Sequence, residues 1–181
     1  MPGCTDVVHI RRARTTDARA IAQVHVDTWR EAYRDLLPHD CLAALSVDRR
    51  TGFWDSELRV TPAERMPWIA ESEGRVAGFA SSGPSRDADA TPTTGEVYAI
   101  YVQPECWDMG VGRDLLHHAE RDLREHGYTE ARLWVLAGNL RARRFYEKAG
   151  WTVDADRLET IGEVEMEEVR YRKALDGSHI G

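Results

Sequence analysis

The stretch WDMGVGR, Trp107 to Arg113, is where residue type and spacing first suggest chemistry. Glycines at 110 and 112 let the backbone turn tightly, so that successive N–H groups can point into one concavity at a helix N-terminus. A pyrophosphate suits such a place. The helix dipole supplies partial positive charge, Arg113 can add a full one, and no metal is required. Two glycines at a strand-to-helix turn can equally serve the turn alone. Other nucleotide motifs fail by position: a Walker loop needs Gly-Lys-Ser/Thr after its first glycine, and a dinucleotide fingerprint needs a third small residue where Leu115 stands.

The flanking residues must form the elements that hold this loop. Glu96 to Val102 (EVYAIYV) is rich in branched and aromatic residues and is followed by Pro104, which predicts a strand near the middle of a sheet. Gly112 to His126 carries Leu115, Leu116, Ala119 and Leu123 at helical spacing, with Gly127 as its stop. Ala131 to Leu136 reads as a strand, Asn139 as the cap of a helix through Ala149 closed by Gly150, and Val169 to Ala174 as a final strand. Upstream, Val8 to Ala13 predicts a first strand. Thr16 and Asp17 offer caps to a helix with Ile21, Val24 and Thr28 on one face, and a second helix follows Ser46 with Val47, Thr51, Trp54 and Leu58. Trp68 to Ala70 and Val76 to Ala80 flank Gly74 as a hairpin, and Ser81 to Glu96 reads as a polar loop.

Strand, Pro104, glycine loop and helix together resemble the coenzyme A segment of the GNAT-type N-acetyltransferases, [QR]xxGxG, with Trp107 in place of the usual Gln or Arg. NLRARRFYEKAGW, Asn139 to Trp151, is similar to the family's second signature, an Asn followed by a helix bearing FYxxxGF, with Trp151 for the final Phe. The resemblance is clearest from Glu96 to Trp151 and weaker over the N-terminal helices. It implies an α+β fold, a central mixed, mostly antiparallel sheet flanked by helices, spanning 1–181 as a single domain. It also implies acetyl-CoA as co-substrate, with Asp108, Met109, Gly110, Val111, Gly112 and Arg113 facing the pyrophosphate. Ile100, Tyr101 and Val102 would offer backbone groups to the pantetheine amides, and Asn139 and Tyr146 would lie on the cofactor side.

The reaction so implied is acetyl transfer to a primary amine by direct attack in a ternary complex. An alkyl amine with a pKa near ~10 is mostly protonated at neutral pH, so a base, or a water route to one, must take its proton. Tyr146 resembles the family's thiolate-protonating tyrosine, seven residues after Asn139. Glu96, eleven residues before Trp107, matches the offset of the catalytic glutamate in histone-type members. In ribosomal-protein alanine acetyltransferases the base stands five residues before the capping Asn, where this chain has Trp134. Tyr98 and His25 are minor candidates, and Cys106 lacks the activating histidine an acyl-cysteine would need. A competing reading from the same residues is a non-catalytic acyl-CoA binding or sensing module.

Composition narrows the classes. A chain of 181 residues with 42% hydrophobic content fits one domain. A net charge of -7 disfavours nucleic acid as a partner. Short apolar runs disfavour a membrane, and Cys4, Cys41 and Cys106 fit neither a disulfide framework nor a zinc site. The expectation is a cytoplasmic enzyme without a metal, its amine acceptor unspecified, for which the family resemblance implies a homodimer through the last strands.

Overall fold

The computed structural model describes residues 8–175. Along it run β1 (His9–Arg12), α1 (Ala18–Ala32), α2 (His39–Ala43), α3 (Val47–Val60), β2 (Trp68–Ser72), β3 (Arg75–Pro84), β4 (Thr94–Val102), α4 (Val111–Glu125), β5 (Glu130–Leu136), α5 (Leu140–Lys148), β6 (Thr152–Ile161) and β7 (Val164–Ala174). The strands form one sheet in the order β1-β2-β3-β4-β5-β7-β6. β4 and β5 pair in parallel, whereas β1–β2, β2–β3, β5–β7 and β6–β7 are antiparallel. This is the mixed, mostly antiparallel sheet expected, with β4 at its middle. Residue contacts divide the chain into two units: the described chain to Ser81 with Ala99–Ala119, and Ser82–Tyr98 with the chain from Glu120.

In the first unit, α1 forms because Ile21, Val24, His25 and Thr28 recur at helical spacing, and all four are buried. Ile21 and Val24 pack in a core with Trp54 and Leu58 of α3, Ile69 of β2 and Phe79 of β3. Ser46 caps α3, its Oγ accepting the Arg49 N–H at 3.3 Å. Asp17 behaves otherwise than its sequence position suggests. Its carboxylate turns back to accept the Arg14 N–H at 2.7 Å and the Arg11 guanidinium at 2.7 and 3.0 Å, so it ties β1 to the helix start and leaves the first turn of α1 without a side-chain cap. The hairpin turns at Glu73 and Gly74, both at positive φ (51° and 72°), the geometry a two-residue connection requires.

In the second unit, two expectations are corrected. The polar loop is shorter than Ser81 to Glu96: β3 continues through Pro84 and β4 begins at Thr94, because small polar residues can sit in a strand whose backbone is paired. The sequence reading also omitted β6, whose TVDADRLETI is almost wholly exposed at the sheet edge and therefore lacks an alternating apolar face. Inside this unit, Glu120 is buried and its carboxyl oxygens are occupied: it accepts the Trp151 indole N–H at 2.8 Å and Lys173 Nζ at 2.8 and 2.9 Å. Arg170 bridges Asp87, Asp89 and Asp154, and Arg132 bridges Asp89 and Glu130, so that buried charges of both signs are paired. No helix of the described residues is long and apolar enough to cross a membrane. Cys106 is buried and Cys41 half-buried, and neither forms a disulfide among the described residues, while Cys4 lies outside them.

His25 offers a test of the first unit's core. Its ring packs on Tyr101 (4.8 Å between centroids) and Trp29 (5.5 Å), and neither nitrogen has a hydrogen-bond partner among the described residues. Burial, with a further push from the positive Arg50, lowers its pKa to about 3. The folded state therefore holds the imidazole neutral. Its pKa lies below the unfolded value of ~6.5, so full stability is present above that pH and is lost as pH falls towards 3, at up to ~1.4 kcal/mol per unit. His25→Phe should remove this dependence: between pH 6.5 and 4.5, wild type should lose about 2 kcal/mol more than the variant in urea unfolding. Parallel pH profiles would mean that His25 is solvated or protonated in the native state.

Candidate active site

The glycine loop begins at a strand end fixed from two sides. The Val102 carbonyl accepts the Thr28 hydroxyl of α1 at 3.0 Å and the Trp107 indole N–H at 2.7 Å. Trp107, which departs from the family's Gln or Arg, therefore folds back and fastens the loop to β4. Gln103 N–H donates to the Ala77 carbonyl of β3 at 2.8 Å. Since successive residues of a strand direct their backbone groups to opposite edges, Tyr101 faces β3 as Gln103 does, while Ile100 and Val102 face the other edge. With both lone pairs of its carbonyl taken, Val102 has its N–H to offer there.

Beyond Trp107, Asp108 and Gly110 both adopt left-handed conformations (φ 62° and 86°), and α4 starts at Val111. Alternation of hand along successive residues turns their N–H groups into one concavity, the backbone arrangement called a nest. Val111 is buried and anchors the first turn, whereas Asp108, Met109 and Arg113 are exposed. A Cβ on Gly110 would lie 3.2 Å from Arg113 Nη2, and the positive φ already disfavours a side chain. The turn therefore sets its backbone amides at the N-terminus of a 15-residue helix, a place whose dipole would favour an anion.

Glu96 lies in the second unit, near the start of β4. The parallel register with β5 is Thr94↔Glu130, Gly95↔Ala131 and Glu96↔Arg132, and it covers only the first three of the nine residues of β4. Glu96 is 3% exposed, and its carboxylate is occupied. Oε2 accepts the Arg86 backbone N–H at 2.8 Å, and Oε1 accepts Nη2 of Arg86 at 2.6 Å and Nε at 3.3 Å. The hydrogen bond to Glu96 raises the Arg86 guanidinium above its ordinary value, against partial burial that lowers it. Arg86 also stacks 4.3 Å over the Tyr98 ring, and the Tyr98 hydroxyl donates to the Pro84 carbonyl at 2.6 Å. The sequence reading missed Arg86. Its only signal there is that it is the single basic residue of the polar tract from Ser81 to Glu96.

Asn139 and Tyr146 belong to the same unit as Glu96. Asn139 Oδ1 accepts the Ala142 N–H at 3.1 Å and so caps α5. The helix is then fixed by Arg143, which donates to the Tyr171 hydroxyl and the Ala137 carbonyl at 3.1 Å each, while Tyr171 donates to Glu147 at 2.6 Å. Tyr146 is buried among Phe145, Trp151 and Tyr171. Trp134, where another subfamily has a carboxylate, is a structural residue: its indole donates to Asp87 at 2.8 Å beneath the guanidinium of Arg157. Among the described residues, no cluster of His, Cys, Asp and Glu could hold a metal.

Residues 18–151 match the model of the Acetyltransferase (GNAT) family. The chain is 36% identical over 134 residues to the uncharacterized N-acetyltransferase YuaI of Bacillus subtilis, a match covering 74% of each. In structure it is similar to the PaiA N-acetyltransferase of Thermoplasma acidophilum in complex with coenzyme A (TM-score 0.69, 19% identity, 93% of this chain and 99% of that one). It is also similar to YncA of Salmonella typhimurium with its cofactor acetyl-CoA (TM-score 0.70, 22% identity, 95% and 96%). The family match over most of the chain, the shared fold and the two signatures around Gly110 and Tyr146 lead to one assignment: the chain belongs to the GNAT acetyltransferase family.

Proposed function

We propose that the protein is a cytoplasmic, single-domain enzyme that transfers an acetyl group from acetyl-CoA to a primary amine by direct attack in a ternary complex. The nest at Asp108 to Gly110, opening on the N-terminus of α4, is the observation that carries this reading. The pyrophosphate sits on the amides from Asp108 to Arg113. The pantetheine continues along β4 at Ile100 and Val102, with the Tyr101 backbone turned to β3. That binding fixes the thioester carbonyl; Asn139 caps α5, and Tyr146 on that helix is the proposed proton donor to the sulfur. PaiA with coenzyme A and YncA with acetyl-CoA support this choice of donor.

The bond changes follow from the thioester. The neutral amine nitrogen attacks the carbonyl carbon, the carbon–sulfur bond breaks, the thiolate takes a proton from the Tyr146 hydroxyl, and the proton that the nitrogen sheds on becoming an amide returns to that hydroxyl through solvent. Glu96, directly or through a water, takes the proton that the ammonium must lose. No covalent enzyme intermediate and no metal is called for. The exposed edge strand β6, with Val153 and Leu158 outward, supports the homodimer expected from the family resemblance.

Three measurements test the reading. Acetyl-CoA should raise the melting temperature of wild type, and Gly110→Ala should weaken its affinity about tenfold in calorimetry, since a side chain at this left-handed position costs roughly 1–2 kcal/mol. An unchanged affinity would remove the loop from the cofactor site. Tyr146→Phe should lower kcat roughly 100-fold with little change in acetyl-CoA affinity, measured by thiol release over an amine panel. A full rate in the variant would exclude Tyr146 as the proton donor. Glu96→Gln should lower kcat/KM about 100-fold at pH 7, and the deficit should shrink as pH approaches the amine pKa of ~10, where solution already supplies the neutral nucleophile. A large deficit independent of pH would make Glu96 an acceptor-binding residue instead.

A further inference from the structure

The carboxylate of Glu96 is buried, but the group that neutralises it is not. The Arg86 side chain is 67% exposed, and it holds Glu96 Oε1 from the solvent side through Nη2 and Nε, at 2.6 and 3.3 Å. The other oxygen, Oε2, is held by the Arg86 backbone N–H, a bond that does not depend on the side chain. That backbone is anchored by its neighbour: Asp87 accepts Arg170 Nη1 at 3.0 Å and the Trp134 indole at 2.8 Å. In the same pose the guanidinium carbon lies 4.3 Å over the Tyr98 ring, so the cation is steadied on one face while its edge holds Glu96. One half of the contact to Glu96 is thus fixed and the other half is a cation on a flexible stem.

A protonated amine and a guanidinium carry the same charge and compete for the same carboxylate oxygen. While it is ionised, a carboxylate as buried as Glu96 favours a paired cation, because leaving the charge unpaired is costly. We infer that Arg86 is a displaceable stand-in for the acceptor's ammonium group. Arg86 occupies Oε1 while no acceptor is bound. On arrival of the ammonium, the guanidinium leaves Oε1 for the solvent that already surrounds most of its side chain, and the ammonium takes its place. The backbone N–H keeps hold of Oε2 and so preserves the carboxylate's orientation through the exchange. The proton then passes from nitrogen to Oε1, leaving the neutral amine beside a neutral carboxyl group. Arg86 is in this account a positioning residue, and the exchange favours acceptors that arrive as cations. The inference rests on Glu96 being the base of the proposed reaction.

The test uses methylammonium as the simplest ammonium probe, its binding to the full chain followed by NMR with sodium at equal ionic strength as control. Arg86→Gln should bind methylammonium about tenfold more tightly than wild type, and the double variant Arg86→Gln/Glu96→Gln should lose that gain. Arg86→Lys, which keeps a cation on a flexible stem, should stay near wild type and guards against a folding defect in the glutamine variant. Equal affinity in wild type and Arg86→Gln, or a gain that survives loss of the Glu96 charge, overturns the exchange. The base assignment fails separately, and the inference with it, if Glu96→Gln retains wild-type turnover across the amine panel. A loss of turnover in Glu96→Gln with no tighter binding in Arg86→Gln leaves the base in place and refutes only the role of Arg86.

Discussion

The carbonyl of Val102 is where the geometry around the glycine loop is set. A helix and a loop both donate to it, α1 through Thr28 and the glycine loop through Trp107, so the end of β4, the entry to the loop and the face of α1 are fixed by one acceptor. A buried carbonyl with two donors is fully satisfied. Losing either donor would leave an unpaired group and also release an element, so the cost falls on position as well as on stability. Trp107 shows why a motif position can change its residue and keep its use. The indole cannot extend towards a phosphate as Gln or Arg would, but its N–H reaches back to the strand and leaves the amides of Asp108 to Gly110 to form the nest.

The second unit depends on paired charge in the same way. Arg132 and Arg170 gather Asp87 and Asp89 of the segment 85–93, and Asp154 of β6 joins them. Arg170 in particular lowers Asp89, to about 2, keeping that carboxylate ionised at any ordinary pH. A polar segment that would otherwise be mobile is held down by ion pairs that share partners, a stronger arrangement than isolated surface pairs. The place of Arg86 one residue before Asp87 follows from this: its main chain is held while its side chain extends to Glu96.

Elements whose signal is local were legible in the sequence. The amphipathic faces of α1 and α4, the Asn139 cap and the Gly74 turn are each encoded within a few residues, by apolar spacing or by a residue suited to a special backbone. The glycine loop was legible for the same reason, since Gly110 needs its left-handed φ wherever the rest of the chain lies. What was not legible depends on partners distant in sequence. β6 has no apolar face to announce it and exists through its pairing with β7. Asp17 sits where a helix cap belongs, yet Arg11 competes for its carboxylate. Arg86 resembles any charged loop residue until Glu96, ten positions on, is seen beneath it.

The two units differ in the kind of force on which their candidate chemistry relies. Around the glycine loop, the groups able to meet a ligand are backbone amides and a helix terminus, which do not titrate, with the exposed Arg113 side chain beside them. Around Glu96 they are ionised side chains, whose attraction weakens with salt and changes with proton uptake. The cofactor capture proposed for the first set should therefore depend less on pH than the acceptor handling proposed for the second. His25 fits the same division. Its neutral ring, held in an aromatic core, keeps a titratable group of the first unit from acquiring charge over the range in which an amine acceptor is protonated. The physical consequence is a separation of sensitivities: conditions that change which acceptors are cationic reach the proposed base without first disturbing the glycine loop.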